Sequence, residues 1–220
     1  MLNLPFTFLH RSANPMVRHP WLLVLMHGVG SNEHDLFSLA PQIPEQFHVV
    51  SLRAPFRMGP GAFAWFDFSI EPHGERTINE PQEAESRALL EQAVAQAAQQ
   101  LGIAADHVVV GGFSQGGIMA LSLLLSRPEL MRAALVWHSR LLAQIVPHIA
   151  PADAFHGKHL WLSHGTQDNV IPLAAAQSIR RQVQTLPLRL SYEEFNSAHE
   201  IRPAELAHTV TWLQALSTTA

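Results

Sequence analysis

Apolar residues occur along the chain in two kinds of segment, short continuous runs and longer stretches with helical spacing. The short runs are apolar at nearly every position, which is typical of strands buried on both faces of a parallel sheet. Seven strands are predicted near residues 6–10, 21–26, 48–52, 107–111, 134–137, 160–163 and 188–193. Because helical patterns alternate with these strands, the sequence predicts an α/β fold with helices on both faces of a mostly parallel sheet.

Helices are indicated by their spacing and by residues typical of helix ends. The clearest begins at Asn79 or Glu80, has Pro81 in its first turn and runs to Gly102. Its buried stripe is predicted to contain Leu90, Val94, Ala97 and Leu101.

Further helices are predicted over residues 115–126, after Pro172 and after Pro203. In the last of these, Leu206, Val210 and Leu213 are expected to face inward. No repeat or linker divides the chain, and we expect residues 1–220 to form a single domain.

Composition excludes several classes of function. Hydrophobic residues make up 47% of the chain, charged residues 15%, and the formal net charge is −4, so no basic surface for nucleic acid is expected. The absence of cysteine excludes disulfides, thiolate metal sites and a thiol nucleophile. The 14 histidines form no metal-binding motif, so neither a metal nor another cofactor is expected. Without an evident signal peptide or membrane-length apolar run, we expect a cytoplasmic protein with no membrane span.

The strongest chemical signal lies where an apolar strand meets an apolar helix through a turn of small residues. There, Gly112-Phe-Ser-Gln-Gly116 matches the Gly-x-Ser-x-Gly nucleophile elbow in the strand-turn-helix context that this motif requires. We therefore predict that Ser114 is a nucleophile. The alternative is a glycine-serine turn that only joins the strand to the helix.

A glycine-rich turn after an early strand offers a second group for the same chemistry. It contains His27-Gly-Val-Gly30, and the backbone N–H groups of Val29 and Gln115 are predicted to form an oxyanion hole. The side chain of Gln115 is expected to matter less than its N–H. A dinucleotide-binding turn is the competing interpretation, but Glu33 stands where its third glycine is required.

A serine nucleophile needs a histidine base and an orienting acid, which follow it in the order Ser, Asp, His on this fold. Asp168 comes after a buried strand, and His199 lies between the last strand and the last helix. We predict Ser114, Asp168 and His199 as a catalytic triad. Asp168 could instead cap a turn, and His164 is a rival base that lies too close to Asp168 in sequence.

Six sequence blocks follow one another in a fixed order across nearly the whole chain. They are His27-Gly-Val-Gly30, Arg53-Ala-Pro55, Trp65-Phe-Asp67, Gly112-Phe-Ser-Gln-Gly-Gly117, His164-Gly-Thr-Gln-Asp168 with Ile171-Pro172, and His199-Glu200. Together they resemble the phospholipase/carboxylesterase family of α/β-hydrolases, which includes bacterial carboxylesterases and acyl-protein thioesterases. The resemblance implies hydrolysis of esters or thioesters through an acyl-serine intermediate, without a cofactor.

The sequence departs from the family pattern at two places. The family commonly has Ser-Gly after the strand that ends at Trp137, whereas this chain has His138-Ser139-Arg140. The residue before the predicted base is often glycine and is Ala198 here. We expect the first departure to alter the pocket beside the nucleophile.

The substrate pocket is predicted in the segment 57–79, which is rich in glycine, proline and aromatic residues and has no steady period. We expect a long loop over one edge of the site, with Phe63, Trp65 and Phe66 as pocket walls. The resemblance implies the same, since its Trp-Phe-Asp block lies beside the catalytic serine. Alternatively, these aromatic residues attach the loop to the core.

These features predict a serine carboxylesterase for short- to medium-chain esters or thioesters, because no long apolar lid or membrane-binding helix is evident. The expected partner is a small-molecule substrate, and a homodimer is left open. Two alternatives use the same residues. One is a hydrolase of lactones or carbon–carbon bonds, and the other is a non-catalytic binding protein on the same fold.

Overall fold

The computed structural model describes residues 2–70 and 76–218. Its strands are β1 (Phe8–Arg11), β2 (Trp21–Met26), β3 (Phe47–Leu52), β4 (Phe56–Gly59), β5 (Ala62–Ala64), β6 (Phe68–Ile70), β7 (Arg76–Ile78), β8 (Val108–Phe113), β9 (Ala133–Trp137), β10 (His159–Gly165) and β11 (Arg189–Phe195). Its α-helices are α1 (His34–Phe37), α2 (Glu80–Leu101), α3 (Gln115–Ser126), α4 (Leu173–Val183) and α5 (Pro203–Thr218).

Seven strands form the central sheet in the order β1-β3-β2-β8-β9-β10-β11. Only β1 pairs in an antiparallel manner, and the other five pairings are parallel. Every residue of β2 and β9 is buried, as expected of strands covered on both faces. The seven predicted strands and the mostly parallel sheet are therefore confirmed, with shifts of one or two residues at most ends.

Successive side chains of each strand point to opposite faces of the sheet, and both faces are covered by helices. On one face, Val24 of β2 lies in the same apolar cluster as Leu90 of α2, together with residues of α3 and α4. On the other face, Leu25 lies in a cluster with Leu36 of α1 and Leu213 of α5. Within the described part of the chain, no helix has the length and apolar character needed to cross a membrane.

Helix α2 has the ends that the sequence predicts. The side chain of Asn79 accepts a hydrogen bond from the backbone N–H of Gln82 at 3.2 Å, which caps the first turn. Gly102 follows the last residue with φ of +67°, a conformation that glycine adopts without a steric penalty. Of the predicted stripe, Leu90, Val94 and Ala97 are fully buried, and Leu101 is partly buried.

The segment predicted as a long irregular loop is mostly paired backbone, so this prediction is corrected. Strands β4 and β5 form one two-stranded antiparallel sheet, and β6 and β7 form another. Residues 71–75, between β6 and β7, lie outside the described residues. Short strands of three or four residues carry too few positions to show a period of two, which explains why the sequence did not reveal them.

The parallel strands bring five chain segments to one edge of the sheet, where their carboxyl ends lie side by side. His27 follows β2, Ser114 follows β8, His138 follows β9, Asp168 follows β10 and His199 follows β11. In open α/β sheets this edge is where ligands bind. The predicted site residues therefore meet there.

Candidate active site

Ser114 lies in a strained turn between β8 and α3. Its φ of +54° and ψ of −116° are unfavourable for a residue with a side chain and cost on the order of 1–3 kcal/mol. The glycines of the elbow allow close packing, because a Cβ on Gly112 would lie 2.3 Å from the carbonyl carbon of Gly116. A Cβ on Gly116 would lie 2.0 Å from the carbonyl oxygen of Met26. Local packing thus requires glycine on both sides of the serine.

The structure joins the three predicted triad side chains in one hydrogen-bonded chain, with His199 in the middle. The Nε2 atom of His199 lies 2.8 Å from the Oγ atom of Ser114, and its Nδ1 atom lies 2.6 Å from Oδ2 of Asp168. Since a carboxylate only accepts, Nδ1 of His199 donates to Asp168 and Nε2 is left to accept from the hydroxyl. Such a chain can remove the serine proton during nucleophilic attack.

The carboxylate of Asp168 is held by more than His199. Its Oδ1 atom accepts hydrogen bonds from the backbone N–H groups of Val170 at 2.9 Å and Ile171 at 2.8 Å. Burial alone would raise the pKa of Asp168, but the hydrogen bonds from His199 and these two N–H groups outweigh it and lower the pKa. Asp168 therefore remains a carboxylate at neutral pH, and its contribution to stability is lost only as the pH falls through that lowered pKa.

The rival base, His164, is fully buried, and its ring contacts the turn that carries Asp168. Its Nε2 atom donates to the carbonyl oxygen of Ile171 at 2.7 Å and lies 3.4 Å from Oδ2 of Asp168. Burial lowers the pKa of His164, so the ring is neutral with its proton on Nε2. The residue supports the turn that carries Asp168.

Among the described residues, His138, His164 and Asp168 form a group close enough to hold a metal ion, with their possible ligand atoms within 4.8 Å of one another. Nε2 of His164 carries the proton donated to Ile171 and so has no lone pair for a metal, whereas its Nδ1 atom is buried with no hydrogen-bond partner among the described residues. Oδ2 of Asp168 already accepts from His199. The hydrogen bonds of His164 and Asp168 thus hold the candidate triad acid in place.

The glycine-rich turn after β2 lies directly beside the elbow. A Cβ on Gly28 would lie only 3.5 Å from the Cβ atom of Ser114. Val29 and Gln115, the two predicted oxyanion donors, line a cavity of about 60 Å³ together with Ser114. This space, defined as the Ser114 cavity, is lined by Val29, Phe66, Phe68, Ser114, Gln115, Ile118, Arg140, Val170 and Ile171.

Buried hydrogen bonds hold this turn in place. The Nδ1 atom of His27 lies 2.7 Å from the carbonyl oxygen of Gly28, and its Nε2 atom accepts from the N–H of Ala54 at 3.0 Å. The indole N–H of Trp65 donates to the carbonyl oxygen of His27 at 2.9 Å. Burial lowers the pKa of His27, which keeps the ring neutral, as these two bonds require. Three of the sequence blocks thus support one another in space.

The side chain of Gln115 also holds the site together, in addition to the role predicted for its N–H. The side chain is buried, accepts from the N–H of Trp65 at 2.7 Å and donates to the carbonyl oxygen of Phe66 at 2.6 Å. It therefore joins the elbow to the strip of chain between β5 and β6.

We expect Gln115→Ala to lower the free energy of unfolding by about 1–3 kcal/mol, because it leaves two buried backbone groups without partners. Urea unfolding monitored by tryptophan fluorescence measures this loss. Gln82→Ala is the matched control, since half-buried Gln82 also bridges to this strip, but through a water-exposed hydrogen bond from the N–H of Asp67 at 2.6 Å. Equal losses in the two variants would contradict a special role for Gln115.

Of the three aromatic residues predicted as pocket walls, only Phe66 lines the Ser114 cavity. Trp65 is fully buried and packs edge-on against Phe6, with ring centroids 5.7 Å apart. Phe63 stacks under the guanidinium of Arg53 at 4.7 Å. The assignments of Phe63 and Trp65 are corrected: these side chains attach the segment to the core.

Sequence reasoning missed Glu205 and gave His138 no role beyond changing the pocket. Glu205 is fully buried on α5, and its carboxylate lies 3.1 Å from the ring of His138. Glu205 could have been identified from its position on the helix. It lies four residues before buried Thr209 and eight before buried Leu213, and so on the same face of α5. A carboxylate on the apolar face of a helix needs a partner.

The profile of the family described as phospholipase/carboxylesterase matches residues 11–217. The chain belongs to the phospholipase/carboxylesterase family. The acyl-protein thioesterase 1 of Cryptococcus neoformans var. neoformans serotype D is 23% identical over 205 residues, which cover 86% of this chain and 82% of that protein.

Solved structures of carboxylesterases have the same fold. The Bacillus cereus carboxylesterase superposes with a TM-score of 0.82 at 20% identity, covering 97% of this chain and 96% of that one. A Mesorhizobium loti carboxylesterase gives a TM-score of 0.81 at 22% identity, covering 97% of each chain. The predicted α/β-hydrolase fold is confirmed. As a member of the phospholipase/carboxylesterase family, the chain is a serine hydrolase, and its family indicates ester or thioester hydrolysis.

Proposed function

We propose that this protein hydrolyses short- to medium-chain carboxylic esters or thioesters through an acyl intermediate on Ser114. The observation that carries the proposal is the hydrogen-bonded chain from Ser114 through His199 to Asp168, at the edge of the sheet where ligands bind. The strained elbow supports it, because strain of this kind persists where a side chain must be presented to a reaction partner.

In the proposed reaction, His199 takes the Ser114 proton at Nε2 as Oγ attacks the carbonyl carbon. Asp168 stabilises the imidazolium that forms. The tetrahedral intermediate collapses when His199 returns the proton to the departing alcohol or thiol, which leaves an acyl-serine ester. Water then attacks this ester with His199 as base, and free acid and serine are regenerated.

The negative charge on the tetrahedral oxygen requires donors that are in place before the reaction. We assign this role to the backbone N–H groups of Val29 and Gln115. Both residues line the cavity that contains Ser114, and Gln115 is the first residue of α3, whose unpaired N–H groups point toward the elbow.

Two cavities of different size flank the site and suggest where the two halves of a substrate bind. The Ser114 cavity, of about 60 Å³, would take the acyl group. A second cavity of about 290 Å³, defined as the His199 cavity, would take the alcohol or thiol. It is lined by Asp35, Leu36, Ser38, Leu39, Phe113, His199, Glu200 and Ile201.

The acyl specificity should peak at short to medium chains, because the Ser114 cavity of about 60 Å³ is small and additional methylenes would lie outside it. Each methylene that fits should raise kcat/KM about fourfold, and further methylenes should not. A series of p-nitrophenyl esters and matched acyl-thioesters measures this profile, with a lactone panel as the alternative class. An optimum at palmitoyl or longer would contradict the proposed pocket.

Val170 and Ile171 line both the Ser114 cavity and a neighbouring cavity of about 400 Å³. We expect Val170→Ala to join the two and to move the acyl optimum toward longer chains in the same ester series. Val146→Ala is the matched control, because Val146 is an exposed valine that lines neither cavity. An unchanged profile in Val170→Ala would remove Val170 from the acyl wall.

A further inference from the structure

A second carboxylate lies behind the candidate triad, joined to it by a histidine. The ring of His138 lies between two acids, with Nδ1 3.2 Å from Oδ2 of Asp168 and Nε2 3.1 Å from Oε2 of Glu205. The side chains of all three residues are fully buried. The other oxygen of Glu205 accepts from the hydroxyl of Ser163 at 2.6 Å. The cluster thus links β10 and α5 to the triad acid.

The groups that face the two ring nitrogens of His138 indicate which of these nitrogens carries a proton. Carboxylates only accept, so a carboxylate at each nitrogen requires a proton on both, which makes the ring an imidazolium. The backbone N–H of Gly165 lies 3.3 Å from Nδ1 and could donate only to an unprotonated nitrogen. We favour the imidazolium, because a neutral ring would leave two buried carboxylates with no positive charge between them.

The electrostatic surroundings of His138 agree with this choice. Burial lowers the pKa of His138, but the hydrogen bonds and charges of Glu205 and Asp168 outweigh burial and raise it. Two other titratable groups face the ring, His164 from β10 with ring centroids 5.2 Å apart, and His199 at 5.8 Å. Phe113 also contacts the ring but carries no charge.

We propose that His138 is a positively charged positioning residue, which Glu205 holds against Asp168 so that the carboxylate presents one fixed oxygen to His199. This inference rests on the proposed function, because it gives Asp168 the role of orienting the base. His138 lies directly after β9, where the family commonly has a Ser-Gly pair and this chain has His138-Ser139-Arg140, and its φ is +49°. The pair of His138 and Glu205 thus lies at a place where this sequence departs from the family pattern.

The charge on His138 has a consequence for the pH dependence of the reaction. A positive charge on His138, whose ring centroid lies 5.8 Å from that of His199, repels the positive charge that His199 gains when it takes the Ser114 proton. The negative charge of Glu205, on the opposite side of the His138 ring, cancels part of this repulsion. The acidic limb of kcat/KM should therefore depend on His138, although His138 does not touch the substrate.

The first test measures the charge directly, by NMR of the ring carbons and nitrogens in protein with isotope-labelled histidine. The measurement is made in the Ser114→Ala variant, because the titration of His138 can be followed without catalytic activity. We expect His138 to titrate above the ordinary histidine value of about 6.5 and Glu205→Gln to lower its midpoint. The proposal would be overturned by a His138 ring that is neutral at about pH 6.5, or by a titration midpoint that Glu205→Gln leaves unchanged.

The second test compares pH profiles of kcat/KM for His138→Gln and the wild-type protein. Glutamine can still donate to Asp168 but carries no charge, so we expect the acidic limb to move up by about one pH unit. His164→Gln is the matched control, since it removes a neighbouring buried ring that is neutral, and its limb should stay in place. If His138 has only a structural role, His138→Gln will lower Tm without moving the acidic limb of kcat/KM, and this result would overturn the proposal.

The stability of the protein gives a third, independent measurement. A raised pKa in the folded state means that the contribution of His138 to stability is present at low pH and is lost as the pH rises through that pKa. Wild-type Tm should fall over that range, and His138→Gln should not show this fall.

If Ser114→Ala retains activity, the proposed function fails. If it is inactive while His138 is neutral, only the present inference fails.

Discussion

Ser114→Ala is expected to abolish turnover, with a loss on the order of 10⁶ in kcat, and to leave the fold intact. The hydroxyl is the only part of Ser114 that the proposed reaction uses, and its removal leaves the backbone of the elbow unchanged. Hydrolysis of a p-nitrophenyl ester and labelling by a fluorophosphonate measure the two expected losses, of activity and of covalent modification.

Ser126→Ala provides the matched control for Ser114→Ala. Ser126 is at the opposite end of the same helix, where its hydroxyl donates to the carbonyl oxygen of Ser122. This variant should keep its activity and its labelling. If the Ser114→Ala enzyme keeps more than a few per cent of wild-type kcat, another residue is the nucleophile.

His199→Ala should reduce kcat by a similar factor, on the order of 10⁶, because serine is a poor nucleophile without a base. In the wild-type enzyme, kcat/KM should fall toward acidic pH, since protonated His199 cannot accept the Ser114 proton. This acidic limb should disappear together with the activity in His199→Ala.

His164→Ala tests the rival assignment of the base. His164 donates to the carbonyl oxygen of Ile171 and has no contact with the Ser114 hydroxyl, so its loss should mainly affect stability and the turn around Asp168. An inactive His164→Ala enzyme beside a fully active His199→Ala enzyme would reverse the assignment.

The sequence predicted those parts of the fold whose signals are local. Strand β2 has the predicted bounds because all six of its residues are apolar and a glycine-rich turn follows. Helix α2 spans Glu80–Leu101, with Asn79 and Gly102, the residues predicted at its ends, as its caps. Helix α3 also has its predicted bounds. The short strands between Phe56 and Ile78 were missed, because their pairing depends on contacts with the elbow and α2 and not on their own pattern.

The candidate triad could be predicted because each member comes after a recognisable strand, and parallel strands end at one edge. The direction of a side chain in an irregular segment could not be predicted in the same way. Trp65 and Phe66 are neighbours, yet Trp65 points into the core and Phe66 lines the Ser114 cavity. The pair of His138 and Glu205 was missed because 67 residues separate them, and only the folded chain brings them together.

The glycine contacts at the elbow determine how the substrate range of this enzyme could be changed in the laboratory or in evolution. Even a methyl group on Gly112, Gly116 or Gly165 would lie within 2.4 Å of backbone atoms that cannot move aside without displacing a strand, a helix or the loop of His199. A library of variants at these positions should therefore be almost entirely inactive. Productive changes should come from residues that line the cavities on separate segments, such as Phe68 and Val170, so that new specificities arise by altering loops around a fixed reactive centre.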